Sequence, residues 1–95
     1  MYLSYEQVAA TNVVKTVVAL TVPGNATMVE LQADTQDVRF TMDDTTDPTQ
    51  TSGMIMLVSL PKNMYLIEDL QRIRFVRGAG TDANLNLHYS AGRDI

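Results

Sequence analysis

The stretch NLNLHY (residues 84–89) alternates strictly between polar and apolar side chains. The stretch VRFTM (residues 38–42) repeats the alternation in the opposite phase. A period of two places successive side chains on opposite faces of a sheet, so each stretch predicts a half-buried β-strand. Such stretches recur about every ten residues, each ended by a turn signal, which is typical of an all-β sandwich or barrel.

The segmentation predicts strands at residues 2–9, 16–22, 27–34, 37–42, 54–59, 64–67, 72–77 and 84–90. Turn signals stand at Pro23-Gly24-Asn25 and Pro61-Lys62-Asn63, and residues 68–71 predict a single helical turn or a wide corner. The longest connection, DDTTDPTQTSG (residues 43–53), has no large apolar residue and is predicted to be an exposed loop. The predicted fold is a single-domain antiparallel β-sandwich of jelly-roll or Greek-key type with about eight short strands. The sequence leaves open whether its topology is that of a jelly roll or immunoglobulin-like.

The apolar phase of each segment also predicts the core. We expect these side chains to point inward: Leu20, Val22, Val29, Leu31, Val38, Phe40, Ile55, Leu57, Ile73, Phe75, Leu85 and Leu87.

Residues 1–15 are predicted to form an N-terminal arm or an edge strand, and residues 16–95 the β-sandwich domain. Tyr2, Leu3 and Tyr5 are apolar, but no clear period follows them and no turn signal ties the segment to a neighbour. In an assembly, such an arm adds a strand to the sheet edge of an adjacent subunit. Tyr2 and Tyr5 are therefore candidate partner-binding residues.

Composition limits the function classes. The chain has 95 residues, no cysteine and a formal net charge of −4. The negative charge argues against nucleic acid as the main ligand, and no apolar run is long enough to predict a membrane span. No secretory signal is expected, since no basic segment precedes an apolar block. A small domain without disulfides gains burial by associating with copies of itself or with a larger partner. We expect a homo-oligomer, with a trimer favoured and a dimer possible.

An enzyme is not expected, and neither is a cofactor. His88 is the single histidine, and no Ser stands in a G-x-S-x-G pattern. His88 falls on the polar phase of the last strand, where we expect it to face solvent or an interface. Asp43, Asp44 and Asp47 are candidate ligands for Ca²⁺, although their spacing is not that of an EF-hand and a solvated acidic loop is favoured.

Charge is distributed unevenly along the chain. Residues 30–47 carry six acidic residues against Arg39 alone, whereas residues 72–93 carry four arginines against Asp82 alone. The two halves pair either across strands of one domain or between subunits, and the sequence leaves both open. This asymmetry adds further candidate partner-binding residues: Asp43, Asp44, Asp47, Arg72, Arg74 and Arg77.

Several short motifs together resemble those of a known family. They are Val38-Arg39-Phe40, Asp43-Asp44, Pro48-Thr49, Gly53-Met54, Ile73-Arg74-Phe75 and the closing Leu85-Asn86-Leu87-His88-Tyr89. Over roughly residues 18–89 the chain is similar to small virion proteins of tailed bacteriophages. It departs from the pattern at Thr45, where the family has a glycine that forms a tight turn.

The resemblance implies a β-sandwich, often a jelly roll, that acts as a head decoration or cement protein and brings no catalytic residues. It implies the phage major capsid protein as partner and a place on the capsid surface, with the host cytoplasm as the site of assembly. The alternative is a ligand- or glycan-binding module of a tail fibre. The scarcity of aromatic residues on the polar faces and the absence of tryptophan count against that alternative.

Overall fold

A computed structural model of the chain describes residues 1–58 and 63–91. The described strands are β1 (Tyr2–Ala10), β2 (Lys15–Thr16), β3 (Met28–Asp34), β4 (Val38–Thr41), β5 (Met54–Met56), β6 (Asn63–Leu66), β7 (Arg74–Arg77) and β8 (Ala83–Ser90). A 3₁₀ turn (Val17–Ala19) follows β2, and a single turn of α-helix, α1 (Ile67–Leu70), follows β6. Pro61 and Lys62 of a predicted turn, and Arg93, lie outside the described residues. No described helix is long and apolar enough to cross a bilayer.

The eight described strands form two antiparallel sheets, with the orders β1-β8-β3-β6 and β2-β7-β4-β5. The pairs β1–β8, β2–β7, β3–β6 and β4–β5 are those of one long hairpin that is folded between β4 and β5. The pairs β3–β8 and β4–β7 form when that hairpin rolls up. This connectivity is that of a jelly roll. The predicted all-β antiparallel sandwich is confirmed, and the strand order selects the jelly roll over an immunoglobulin-like topology.

The core lies between the inner faces of the two sheets. The alternation of β8 buries Ala83, Leu85, Leu87 and Tyr89 and leaves the residues between them half-buried on the outer face. The expected core residues that are confirmed as buried are Val29, Leu31, Val38, Phe40, Ile73, Phe75, Leu85 and Leu87. Leu20 and Val22 are half-buried and pack against this cluster.

The predicted phase of the fifth strand is wrong. Met56 is buried opposite Val38, whereas Ile55 and Leu57 are 43% and 44% exposed. The segment Met54–Leu57 is apolar at every position, so its sequence contains no alternation that fixes the register. A register that differs by one residue turns every side chain to the other face.

The predicted strand over residues 16–22 is also largely wrong, since only Lys15 and Thr16 pair with β7. The hydroxyl of Thr16 accepts a hydrogen bond from the backbone N–H of Val18 at 3.3 Å and caps the 3₁₀ turn. A local bond of this kind competes with strand pairing and here outweighs the β-branched residues that follow.

The first strand lies at the edge of its sheet and pairs with β8 from Tyr2 to Ala10. Ala10 is fully buried in the core. The register shifts between Tyr2 and Ser4, which marks a β-bulge.

One polar link crosses the inner side of the first sheet. Tyr89 is fully buried, and its hydroxyl donates to Glu6 Oε2 at 2.6 Å. The same carboxylate oxygen accepts the backbone N–H of Thr21 at 2.8 Å. Burial, together with the neighbouring carboxylate, raises the pKa of Tyr89 above its ordinary value of 10.0. The tyrosine therefore fastens the edge strand to the centre of the sheet as a neutral phenol.

Removal of a core ring tests the inward phase of β4 and β7. Phe40→Ala and Phe75→Ala should each lower the free energy of unfolding by about 3–5 kcal/mol, because each leaves a cavity in a packed core. Urea denaturation followed by circular dichroism measures the change. Unchanged unfolding in both variants would show that the register is wrong.

The Tyr89 phenol also predicts a dependence on alkaline pH. A group whose pKa is raised on folding contributes stability that is complete below its unfolded value and is lost as the pH rises past it. The melting temperature should therefore fall above pH 10, the ordinary value for tyrosine. Tyr89→Phe should be less stable at neutral pH by about 1 kcal/mol, because Glu6 loses one of its two donors, and should show a shallower alkaline decline. An equally steep decline in the variant would assign the effect to other groups.

Candidate functional site

The long loop lies over the outer face of the second sheet and is held by three arginines of β4 and β7. Arg74 donates to the carbonyl oxygen of Asp44 at 2.7 Å and to Asp47 Oδ1 at 2.7 Å. Arg77 donates to Gln50 at 3.3 Å, and Arg39 donates to the carbonyl oxygen of Gly53 at 2.9 Å. The loop is thus exposed, as predicted, but bound to the sheet along its length.

Two further features fix this loop. Pro48 is fully buried although the residues on both sides of it are exposed. Gly53 has a φ of 107°, and a Cβ there would come within 3.0 Å of the Pro48 side chain and 3.2 Å of the Phe40 carbonyl oxygen. Only glycine has the conformational freedom and the small size for this position.

The acidic residues of the loop are engaged within it. Asp43 accepts the backbone N–H groups of Thr45 and Thr46 on one oxygen and the Thr46 hydroxyl on the other. These hydrogen bonds, with those from Thr46 the strongest, hold the pKa of the Asp43 carboxyl well below its usual range. Asp44 adopts a φ of 64°, so the turn forms in the left-handed region although Thr45 stands where the resembled family has glycine. In the described part of the chain, no three acidic or histidine side chains meet as a metal site.

Two of the arginines form ion pairs with acidic residues of the same chain. Arg74 pairs with Asp47 at 2.7 Å and Arg77 pairs with Asp82 at 2.8 Å. Arg72 is exposed, and its side chain bonds to none of the described residues. Of the predicted partner-binding arginines, Arg72 is the one that these intrachain contacts leave available.

The outer face of the first sheet brings together a different set of residues. Cross-strand register places Tyr5 of β1 and Glu30 of β3 on either side of His88 of β8. In the next row, Gln7 and Gln32 flank Asn86 in the same way. Neighbouring strands lie about 4.8 Å apart, so each row spans about 10 Å of the face.

The bulge in β1 adds a second ring to this face. A strict period of two puts Tyr2 and Tyr5 on opposite faces, but both contact His88. The Tyr2 and His88 rings stack with centroids 4.0 Å apart and planes 14° apart, while Tyr5 meets His88 edge-on at 6.2 Å. Tyr2 and Tyr5 are 56% and 58% exposed. We call the surface formed by Tyr2 and by the two rows Tyr5-His88-Glu30 and Gln7-Asn86-Gln32 the aromatic face.

A depression of about 150 Å³ opens on the aromatic face. Its lining residues are Tyr5, Glu30, Gln32, Asn86 and His88. Glu30 is 5% exposed, the one buried charged residue in the described part of the chain. The Tyr5 hydroxyl and the Gln7 amide both donate to Asn86 Oδ1 at 2.8 Å, which fixes the orientation of the Asn86 amide.

The edge of the second sheet is apolar. β5 is the last strand of that sheet, and in the described residues no strand pairs with its outer side. Met54 is 65% exposed, and Ile55 and Leu57 are more than two-fifths exposed. We call these three residues the apolar edge. An unpaired strand edge with apolar side chains is a template for pairing with another chain.

The predicted partner-binding residues therefore divide between two outer surfaces. Tyr2 and Tyr5 belong to the aromatic face, and Asp43, Asp44, Asp47, Arg74 and Arg77 belong to the opposite surface or its border. Glu30, Gln32 and Asn86 are not among the site residues predicted from the sequence. The sequence does contain a signal for them, because acids and amides on the outward phase alternate with apolar residues along β3 and β8.

No protein-family model matches this chain, and the searches of curated proteins and of solved structures returned no match.

Loss of the Arg74 guanidinium should release the long loop. Arg74→Met removes bonds to two loop carbonyls and to Asp47, so amide hydrogen exchange at Thr45 and Thr46 should quicken about tenfold. Arg72→Met is the matched control, because Arg72 is exposed and bonds to none of the described side chains. This variant should leave the exchange rates unchanged. Equal rates in both variants would mean that the loop is held without Arg74.

Proposed function

We propose that this domain is a structural protein of a bacteriophage virion that decorates the capsid surface and cements neighbouring capsid subunits. Its partner is the phage major capsid protein, and it acts as a homo-oligomer, with a trimer favoured over a dimer. The resemblance of the motifs over residues 18–89 to those of small virion proteins supports this proposal, as does the jelly-roll connectivity. It acts without catalysis and without a cofactor.

The apolar edge is the observation on which this proposal rests. Met54, Ile55 and Leu57 expose apolar side chains beside backbone groups that no described strand pairs. A strand from a capsid subunit or from a second copy of this chain would complete the sheet there, with backbone hydrogen bonds supplying affinity and the side chains specificity. The opposite edge differs, because β2 has only two residues and then turns into a 3₁₀ turn.

A rigid surface also suits a lattice contact. The long loop is held to its sheet by Arg39, Arg74 and Arg77, so little conformational freedom is lost when a partner covers it. Each contact is small, but an oligomer that engages several capsid subunits at once gains strength through effective concentration.

A second candidate function, a glycan-binding module of a tail fibre, is favoured by one observation. Tyr2 and Tyr5 are more than half exposed and meet at His88 on the aromatic face, where the sequence indicated few exposed rings.

Binding to undecorated phage shells tests the proposed function. Purified protein mixed with such shells should bind saturably and raise the temperature at which the shells rupture. Ile55→Asp places a charge on the apolar edge and should abolish both effects. Val18→Asp is the matched control, because Val18 is 89% exposed near the opposite edge of the same sheet, and it should bind as the parent does.

Occupancy is measured by co-sedimentation and rupture by light scattering on heating. Absence of binding by the parent protein would contradict the proposed function. Equal loss in both aspartate variants, with their folds intact, would contradict the assignment to the apolar edge.

A further inference from the structure

We propose that the aromatic face is a binding site for a neutral saccharide, which it holds as one sugar ring with neighbouring hydroxyl groups. The ligand occupies the depression of about 150 Å³ between β1, β8 and β3. This inference does not depend on the proposed shell contact, which lies on the edge strand of the other sheet.

The tyrosine rings supply an apolar platform. Tyr2 and Tyr5 expose more than half of their surface, although removing an aromatic ring from water lowers the free energy. A pyranose ring presents a face of C–H groups that covers such a ring. The Tyr2–His88 stack and the Tyr5–His88 edge contact arrange the three rings before any ligand arrives. Rings fixed in this way lose little entropy on binding.

Asn86 supplies an oriented hydrogen-bond donor. Tyr5 and Gln7 both donate to its Oδ1, so the amide cannot exchange the places of its oxygen and nitrogen without losing two bonds. Its Nδ2 forms no hydrogen bond with the described residues, and Asn86 lines the depression. The two N–H groups of Nδ2 can therefore donate to a ligand in the depression.

Glu30 places an acceptor across from that donor. Its carboxylate lines the same depression, one strand away from Asn86 and in the next row. A hydroxyl both donates and accepts, so a pair of adjacent sugar hydroxyls suits a fixed donor beside a fixed acceptor. A depression in which an aromatic ring and a few polar groups converge is a usual form of a small-molecule site.

Charge selects a neutral sugar over an anionic ligand. Glu30 lines the depression and Asp34 follows on the same face of β3, while none of the described lining residues is a lysine or an arginine. A phosphate or an acidic sugar would be repelled by these carboxylates, whereas a neutral sugar would not. The rows of amides offer hydrogen bonds that a simple organic cation would leave unused.

Nuclear magnetic resonance titration tests the site directly. ¹⁵N-labelled protein is titrated with the methyl glycosides of glucose, galactose, mannose and N-acetylglucosamine, and separately with methyl glucuronide and tetramethylammonium. At least one neutral glycoside should shift the amides of Tyr5, Asn86 and His88 saturably, with a dissociation constant in the millimolar range. The glucuronide should bind more weakly than that glycoside.

Each contrary result overturns the inference. No saturable shift with any of the four glycosides up to about 50 mM would exclude the site at millimolar affinity. Shifts confined to the second sheet would place binding elsewhere. Tighter binding of tetramethylammonium than of every glycoside would identify the face as a cation site.

A matched pair of variants ties binding to the named atoms. Asn86→Ala should weaken binding of the glycoside about tenfold, the loss of roughly one good hydrogen bond. Asn84→Ala is the control, because Asn84 lies one row further along the same outer face and bonds to Thr35. Tyr5→Ala should weaken binding similarly, because it removes a ring of the platform. Tyr5→Phe keeps that ring and should therefore weaken binding less than Tyr5→Ala does. Equal affinities in the Asn86→Ala and Asn84→Ala variants, both folded by their melting curves, would overturn the assignment.

Discussion

The pairing of β8 between β1 and β3 is the constraint on which the rest of the structure depends. Along β8 the inward side chains are buried without exception, and the outward ones are half-buried. Because neighbours pair with it on both sides, its register sets which residues of β1 and β3 face inward. The core and the aromatic face are therefore two consequences of one alternation.

The sequence allows the fold to be predicted wherever alternation is strict. In β4 and β8 the apolar phase identifies the buried residues, since one face of each strand meets the core. In β3 it does so for Val29, Leu31 and Ala33, while Glu30 is buried on the outward phase. Prediction fails at β5, where Met54, Ile55 and Met56 are all apolar and only pairing with β4 decides the phase. It also fails after Thr16, where a local hydrogen bond ends the strand.

The candidate surfaces could be predicted only in part. Tyr2 and Tyr5 stand out in the sequence, but a bulge, which depends on pairing with β8, places both against His88. The arginines of β7 stand out by charge, yet their bonds to the long loop depend on how that loop folds back over the sheet. The apolar edge and the aromatic face also differ in kind, since the first is an apolar strand edge and the second is a polar face with rings.

The central claim is that the register of β8 creates a core on one side and the aromatic face on the other. Cross-strand nuclear Overhauser contacts in the protein in solution measure that register most directly. The structure predicts contacts of His88 with Tyr5 and Glu30 across the sheet, together with ring contacts from His88 to both Tyr2 and Tyr5. Contacts that instead pair Tyr5 with Leu87 or Tyr89, or that separate the Tyr2 ring from His88, would contradict it.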